Sequence, residues 1–174
     1  MNYDTRFPRV NPERGVMGGL RTRAGTREAG GASRFVGRVE ADVVIAGPKL
    51  RGFVFENRLQ GRAVETRAEL SGLELHRLGG AMTVRGYRED EVIDARRVGW
   101  GNSELRYAVD RSTAAYGFFD AGLAAQSNGR RFLTGYGLGA RVGTQIGGFE
   151  ASYGLAPGVG PLSGKVHFRY EGEF

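Results

Sequence analysis

Arg85 stands between Val84 and Gly86 in the stretch LGGAMTVRGYREDE (78–91), which fits neither the period of a helix nor that of a strand. A glycine pair precedes it and Gly86 follows it, so the backbone there can adopt conformations that other residues resist. The planar guanidinium fork of an arginine can bind two carboxylates at once. Glu104 and Asp120 are the candidates for that pairing, if the elements that carry them place both carboxylates on one face.

Those elements are β-strands. In GKVHFRYEGEF at the C-terminus, apolar and charged residues alternate, which predicts a strand with one apolar and one charged face. The same alternation recurs upstream, and the sequence predicts eight strands in all. Their ranges are 14–25, 33–46, 50–62, 97–109, 113–124, 133–145, 147–156 and 163–173. Most approach or exceed the roughly 9–11 residues that a tilted strand needs to cross a bilayer. Glu104 and Asp120 have the polar parity of two successive strands.

The links between the strands indicate which kind of β-protein this is. Short turns are expected at 46–49, 110–112 and 146–148, and longer links at 25–33, 63–96, 125–132 and 156–163. Short turns at one end and long loops at the other are typical of an antiparallel transmembrane β-barrel, whose apolar face points to lipid. Aromatic residues near the strand ends suit interfacial girdles: Tyr107, Phe132, Tyr153, Tyr170 and Phe174.

Composition excludes several classes of protein. The net charge of +6 comes mostly from arginines that recur singly along the chain. A nucleic-acid surface would concentrate them on one element, so no nucleic-acid partner is expected. Without cysteine, neither a disulfide framework nor a thiolate metal site is possible. The first fifteen residues have no apolar core and do not resemble a secretory signal. A role outside the cytosol would therefore make this chain a fragment of a longer protein.

The region from Leu75 to Tyr107 resembles the hallmark region of the BamA/TamA-type outer-membrane assembly and translocation barrels, also called bacterial surface antigens. In that superfamily a long extracellular loop carries a Val-Arg-Gly-Phe/Tyr tetrad, and the next two strands carry Asn-x-Glu-x-Arg and Phe-x-Asp-x-Gly. The final strand ends on an aromatic residue that the assembly machinery recognises. The matching residues are Val84, Arg85, Gly86 and Tyr87, then Asn102, Glu104 and Arg106, then Phe118, Asp120 and Gly122, and finally Phe174.

The resemblance implies that the chain is the C-terminal half of a barrel of about sixteen strands, with a loop at about 63–96 that folds into the lumen. Together with strand parity and the glycine hinge, it predicts that Arg85 bridges Glu104 and Asp120. The expected C-terminal signal is Phe168, Tyr170 and Phe174. The implied function is insertion or translocation of client polypeptides at the cell outer membrane, with lipid and accessory assembly lipoproteins as partners and no cofactor. The alternative is a structural or ligand-binding outer-membrane barrel, and some relatives are fused to a lipase.

Three other features of the sequence are weaker evidence for a function. GYGLGAR (135–141) imitates a dinucleotide-binding loop, but no helix pattern follows it, so glycines on the polar face of a strand are the better interpretation. His76 and His167 lack partners at metal-ligand spacing, and no metal is expected. The acidic run at 89–91 is interpreted as solvated loop charge. No nucleophile–base arrangement stands out, so the sequence does not predict an enzyme.

Deleting Phe174 is expected to impair membrane insertion in cells more than refolding in detergent, because the resemblance makes that residue a signal for assembly machinery. Heat-modifiable gel mobility of the cellular and the refolded protein measures both folded fractions. Equal losses in the two assays would make Phe174 a packing residue and no more.

Overall fold

The computed structural model describes residues 1–7, 12–29, 31–110, 112–144 and 147–171, and the regular elements among them are all β-strands. The strands are β1 (Asn2–Asp4), β2 (Gly15–Ala29), β3 (Ala32–Ala46), β4 (Phe53–Thr66), β5 (His76–Leu78), β6 (Val92–Ala95), β7 (Arg97–Ala108), β8 (Thr113–Gln126), β9 (Gly129–Thr144), β10 (Gly147–Leu155) and β11 (Lys165–Glu171). No helix long and apolar enough to cross a membrane occurs among the described residues.

Nine of the strands form one sheet with the order β1-β2-β3-β4-β7-β8-β9-β10-β11, and each described pairing is antiparallel. Each of the eight long strands overlaps one of the eight ranges that the alternation predicted, although several extend beyond their predicted ends. The sheet is open, because its order ends at β1 on one side and at β11 on the other. Three short strands were missed: β1 pairs with the edge of β2, and β5 pairs with β6 between β4 and β7. They are too short to carry a period.

Two of the expected long links are in fact tight connections. β2 ends at Ala29 and β3 begins at Ala32, while β8 ends at Gln126 and β9 begins at Gly129. The strands continue beyond their apolar stretches into polar residues, where the alternation that marks a strand is lost. The long links are therefore 67–96, which contains β5 and β6, and 156–164. The expected loop at 63–96 starts later, because β4 continues to Thr66.

The two faces of the sheet have the reverse of a soluble protein's polarity. Large apolar side chains are exposed on one face, among them Leu59, Phe119, Leu138 and Phe168. On the other face, charged side chains are buried, among them Glu56, Glu104, Asp120 and Glu150. This arrangement is that of a membrane barrel wall, with an apolar outer face toward lipid and a polar inner face toward the lumen.

The long link 67–96, called the lumen loop below, lies against the inner face. Its apolar residues form a small core with inward-facing residues of β7, β8 and β9, and Tyr87 packs against this core from the side. The members are Leu78, Val84, Val92 and Ala95 of the loop, and Val98, Trp100, Ala124 and Leu133 of the sheet. The inner face therefore combines an apolar patch, which holds the loop by excluding water, with the charged groups described next.

Leu138 lies near the middle of β9 on the outer face, so we expect Leu138→Arg to destabilise the protein in a bilayer by about 2–4 kcal/mol. The matched control is Leu162→Arg, since Leu162 is almost fully exposed in the link 156–164 outside the sheet. Denaturant unfolding in lipid vesicles measures both. Equal effects at the two positions would contradict a lipid-facing outer surface.

Candidate functional site

Arg85 lies inside the wall and binds two carboxylates from adjacent strands. Its Nε and Nη2 donate to Asp120 Oδ2 and Oδ1 of β8, both at 2.8 Å, and its Nη1 donates to Glu104 Oε1 of β7 at 2.9 Å. The side chains are 4%, 0% and 8% exposed for Arg85, Asp120 and Glu104. The guanidinium fork thus serves both carboxylates in an environment that excludes most water.

Two further interactions fix the position of this arginine. The backbone N–H of Arg85 also donates to Asp120 Oδ2, at 2.9 Å, so one carboxylate binds both the side chain and the main chain. The guanidinium carbon lies 3.7 Å from the ring centroid of Phe118, a position that favours a cation–π interaction. Arginine remains protonated in proteins, so the charge that attracts these groups is permanent.

A third carboxylate, which sequence reasoning did not single out, extends this cluster. Glu150 of β10 lies 3.6 Å from Arg85 Nη1, accepts a hydrogen bond from the hydroxyl of Tyr116, and pairs with Arg141 at 2.8 Å and with Arg169 at 2.6 Å. Strand parity assigned Glu150 to the polar face. The charged residues of this cluster occupy polar-face positions on four successive strands, β7 to β10. That shared parity could have identified Glu150 from the sequence.

The remaining predicted partners fall into two groups. Asn102 donates from its amide to the carbonyl of Thr83 at 2.7 Å, and so holds the lumen loop just before the tetrad. Arg106, in contrast, pairs with Glu56 of the neighbouring strand β4 at 2.9 Å. It also donates to the carbonyl of Pro12 at 2.7 Å. Arg106 therefore belongs to a separate ion pair and has no described hydrogen bond to the tetrad.

Glycines on the inner face make room for the tetrad. A Cβ on Gly122 of β8 would lie 2.7 Å from Cγ2 of Val84, closer than real Cβ atoms approach their neighbours. A Cβ on Gly135 of β9 would overlap the carbonyl oxygen of Arg85. The stretch GYGLGAR lies wholly within β9, where Gly135 lies against the loop while Gly137 and Gly139 lie against the rings of Phe118 and Tyr116.

The third residue of the tetrad reaches the last two strands. Gly86 has a φ of +95°, which favours glycine, and a Cβ on it would lie 2.7 Å from the carbonyl carbon of Leu155. Its N–H donates to Nε2 of His167 on β11 at 3.1 Å. The tetrad therefore contacts β8, β9, β10 and β11 in turn, and sequence reasoning missed the role of His167.

The ends of the lumen loop are held by exposed ion pairs. Glu74 accepts from Arg27 of β2 at 2.7 Å and from Arg38 of β3 at 3.2 Å. The hydrogen bond from Arg27, followed by that from the Ser71 backbone, lowers the pKa of Glu74 to about 2. The acidic run at 89–91 is exposed or half-exposed as expected, but each member has a partner: Ala81 N–H, Arg77 and Arg131, in that order.

The residues of the expected C-terminal signal lie on the outer face or beyond the described chain. Phe168 and Tyr170 are exposed on the outer face of β11, and the Tyr170 ring lies 4.8 Å from that of Phe149. Phe174 lies outside the described residues. Within the described parts of the chain, no group of three or more His, Asp or Glu side chains is placed to hold a metal ion.

An open antiparallel wall with an apolar outer face, and a loop fixed to its inner face by buried charges, defines a class of outer-membrane β-barrels. Comparison of the sequence with known families matches residues 1–168 to the Omp85 superfamily domain, and the chain belongs to that superfamily. It is an outer-membrane barrel protein of the BamA/TamA type, as the tetrad and the strand motifs predicted.

The fold has a match among solved structures. The crystal structure of BamA from Haemophilus ducreyi lacking POTRA domains 1–3 superposes with a TM-score of 0.74 at 12% sequence identity. The match covers 97% of this chain and 40% of that chain, so the present chain spans less than half the length of that relative. A search of curated protein sequences found no match. The prediction of an all-β, antiparallel outer-membrane barrel fold is confirmed.

Replacing either member of the Arg85–Asp120 pair is expected to destabilise the protein by up to about 3–5 kcal/mol, because the remaining charge would be buried without a partner. In a double-mutant cycle of Arg85→Ala and Asp120→Ala, followed by unfolding in detergent, we expect strong coupling. Arg85→Lys should recover part of the stability, since an ammonium cannot fork between two carboxylates.

The matched control is the pair formed by Arg97 and Glu65 at 2.6 Å, which is well exposed at the ends of β7 and β4, where these strands meet the lumen loop. The same cycle on this pair should give little coupling, since water screens exposed charges. If the effects of Arg85→Ala and Asp120→Ala add to within about 0.5 kcal/mol, the two residues act independently and the inner-face cluster does not hold the loop.

Proposed function

We propose that residues 1–174 form the C-terminal part of an outer-membrane barrel that inserts or translocates client polypeptides. The observation that carries the proposal is the tetrad fixed to the inner face through Arg85, Glu104 and Asp120. Burying the charges of this loop costs desolvation free energy, so the loop is a structural part of the lumen. Removing it would leave Asp120 without a partner. Client polypeptides and membrane lipid are the proposed partners, together with accessory assembly lipoproteins.

The chemistry of the site supports a mechanism without a cofactor. A wall of this kind can act on an unfolded client by offering backbone hydrogen bonds at a sheet edge, to which an extended client segment adds as a strand. β11 supplies such an edge, because it is the last strand in the sheet order and pairs with β10 on one side. Its outward residues, Val166, Phe168 and Tyr170, are apolar and would align a client strand within the bilayer.

A ligand-binding barrel fits the inner face less well. The cavity beside Arg85, lined also by Glu56, Arg58 and Met82, has a volume of about 70 Å³. Pockets for small organic ligands are typically about 300–1,000 Å³. The lumen loop and the charged side chains fill the space that such a ligand would need. A purely structural barrel remains the competing hypothesis, and it predicts no effect on client folding.

The test uses the protein that contains this chain, reconstituted in lipid vesicles, and a urea-unfolded eight-stranded outer-membrane protein as client. We expect the vesicles to accelerate client folding relative to empty vesicles. Arg85→Ala should reduce this acceleration roughly tenfold or more, which corresponds to about 1.4 kcal/mol of activation free energy. Gel mobility of the folded client measures the rate.

The matched control is Arg97→Ala, which removes an arginine from the exposed pair at the ends of β4 and β7. It should leave the folding rate close to that of the unaltered protein. Vesicles that fold the client no faster than empty ones would favour a structural barrel. An equal loss with both variants would mean that general surface charge, and not the tetrad, sets the rate.

A further inference from the structure

One buried side chain connects the lumen loop to the edge of the sheet and has no role in the charge cluster around Arg85. His167 lies on the inner face of β11 and is 8% exposed. Its Nε2 accepts the hydrogen bond from the Gly86 N–H at 3.1 Å, and its Nδ1 lies 3.8 Å from Glu89 Oε1. Both contacts are to the lumen loop, while the backbone of His167 is paired with Ser152 of β10.

We propose that His167 is a latch that couples the tetrad to the edge strand β11, so that displacing the tetrad loosens the edge to which a client strand would add. The proposal deepens the proposed function and rests on it for its biological meaning. The latch requires a neutral imidazole with an unprotonated Nε2, because the atom must accept a proton from a main-chain N–H.

The geometry explains why a single hydrogen bond can contribute strongly to the stability of β11. Over the described residues, β11 spans seven residues and pairs with β10 only, whereas β2 and β3 pair over fifteen residues. Short edge strands open at lower free energy than the centre of a sheet, so a tertiary contact contributes a larger share of their stability. An unpaired N–H on Gly86 would also be buried against the backbone of Leu155, which makes loss of the acceptor costly.

Backbone contacts between the tetrad and β10 strengthen the coupling between the tetrad and the edge of the sheet. Gly86 lies so close to β10 that a Cβ on Gly154 would come within 2.5 Å of the Gly86 nitrogen. Arg85, one residue earlier, is fixed to β7 and β8. A shift of Gly86 away from His167 therefore has to move the main chain of the tetrad, and the ion pair and the latch respond together.

The experiment compares His167→Phe, which keeps a ring and removes the acceptor, with His167→Gln, whose side-chain oxygen can reach the position of Nε2. Hydrogen exchange is followed by mass spectrometry in lipid nanodiscs at neutral pH. For His167→Phe we expect exchange about three- to tenfold faster in peptides from both the tetrad and β11, the effect of losing one hydrogen bond. His167→Gln should restore most of the protection in both.

The matched control is Ser152→Ala, because Ser152 is buried on the inner face and pairs with His167 in register. It should leave both peptides unchanged. A change in β11 without a change in the tetrad, or a His167→Gln protein that behaves as His167→Phe does, would overturn the latch in favour of simple packing.

If His167→Phe does not fold, nitrogen NMR of the unaltered protein with labelled histidine decides the matter. The latch requires that Nε2 is unprotonated and coupled across the hydrogen bond to the Gly86 nitrogen, and a protonated Nε2 would refute it. None of these measurements involves a client. The latch can therefore fail while client folding is still accelerated, and it can hold in a protein that folds no client.

Discussion

The pairing of Arg85 with Asp120 and Glu104 is the interaction on which the arrangement of the inner face depends. Asp120 is completely buried and Glu104 nearly so, and both lie on strands whose outer faces point to lipid. Burying two carboxylates without a cation would cost several kcal/mol each. The lumen loop supplies that cation, so the wall and the loop are each incomplete alone. Apolar contacts around Val84 and Leu78 add to the binding, but the charges determine which residue lies where.

The close approach of this loop requires an inner face that is mostly flat where the tetrad lies. Gly122, Gly135 and Gly154 provide that surface on three consecutive strands, since a Cβ at any of them would collide with the tetrad. Large side chains on the same face are placed to either side, with Trp100 in the apolar core and Phe118 over the guanidinium. Glycine in a strand normally weakens it, so its use here reflects contact with another backbone.

Sequence alternation was sufficient to predict the eight long strands, and the shared parity of Glu104 and Asp120 was sufficient to put both on one face. The short strands could not be found this way, because β1, β5 and β6 contain three or four residues each. The position of Glu150 and the acceptor role of His167 depend on the register between strands and on the path of the loop. Both are tertiary properties, and no local pattern in the sequence encodes them. The resemblance to a known family supplied the tetrad and the aromatic residues expected on the last strand, but it did not single out His167.

The lengths of the strand pairings differ across the sheet, and this difference bears on the proposed function. β8 and β9 pair over fourteen residues and carry Asp120 and Gly135 beneath the tetrad, while β10 and β11 pair over seven. Local opening occurs where the fewest hydrogen bonds have to break. The tetrad is therefore anchored to a long strand pairing in the wall and touches, through His167, a shorter pairing at the β11 edge of the sheet. In the proposed latch, the loop stays anchored to β7 and β8 while a single hydrogen bond connects it to β11, so opening at this edge would not require loss of the barrel wall.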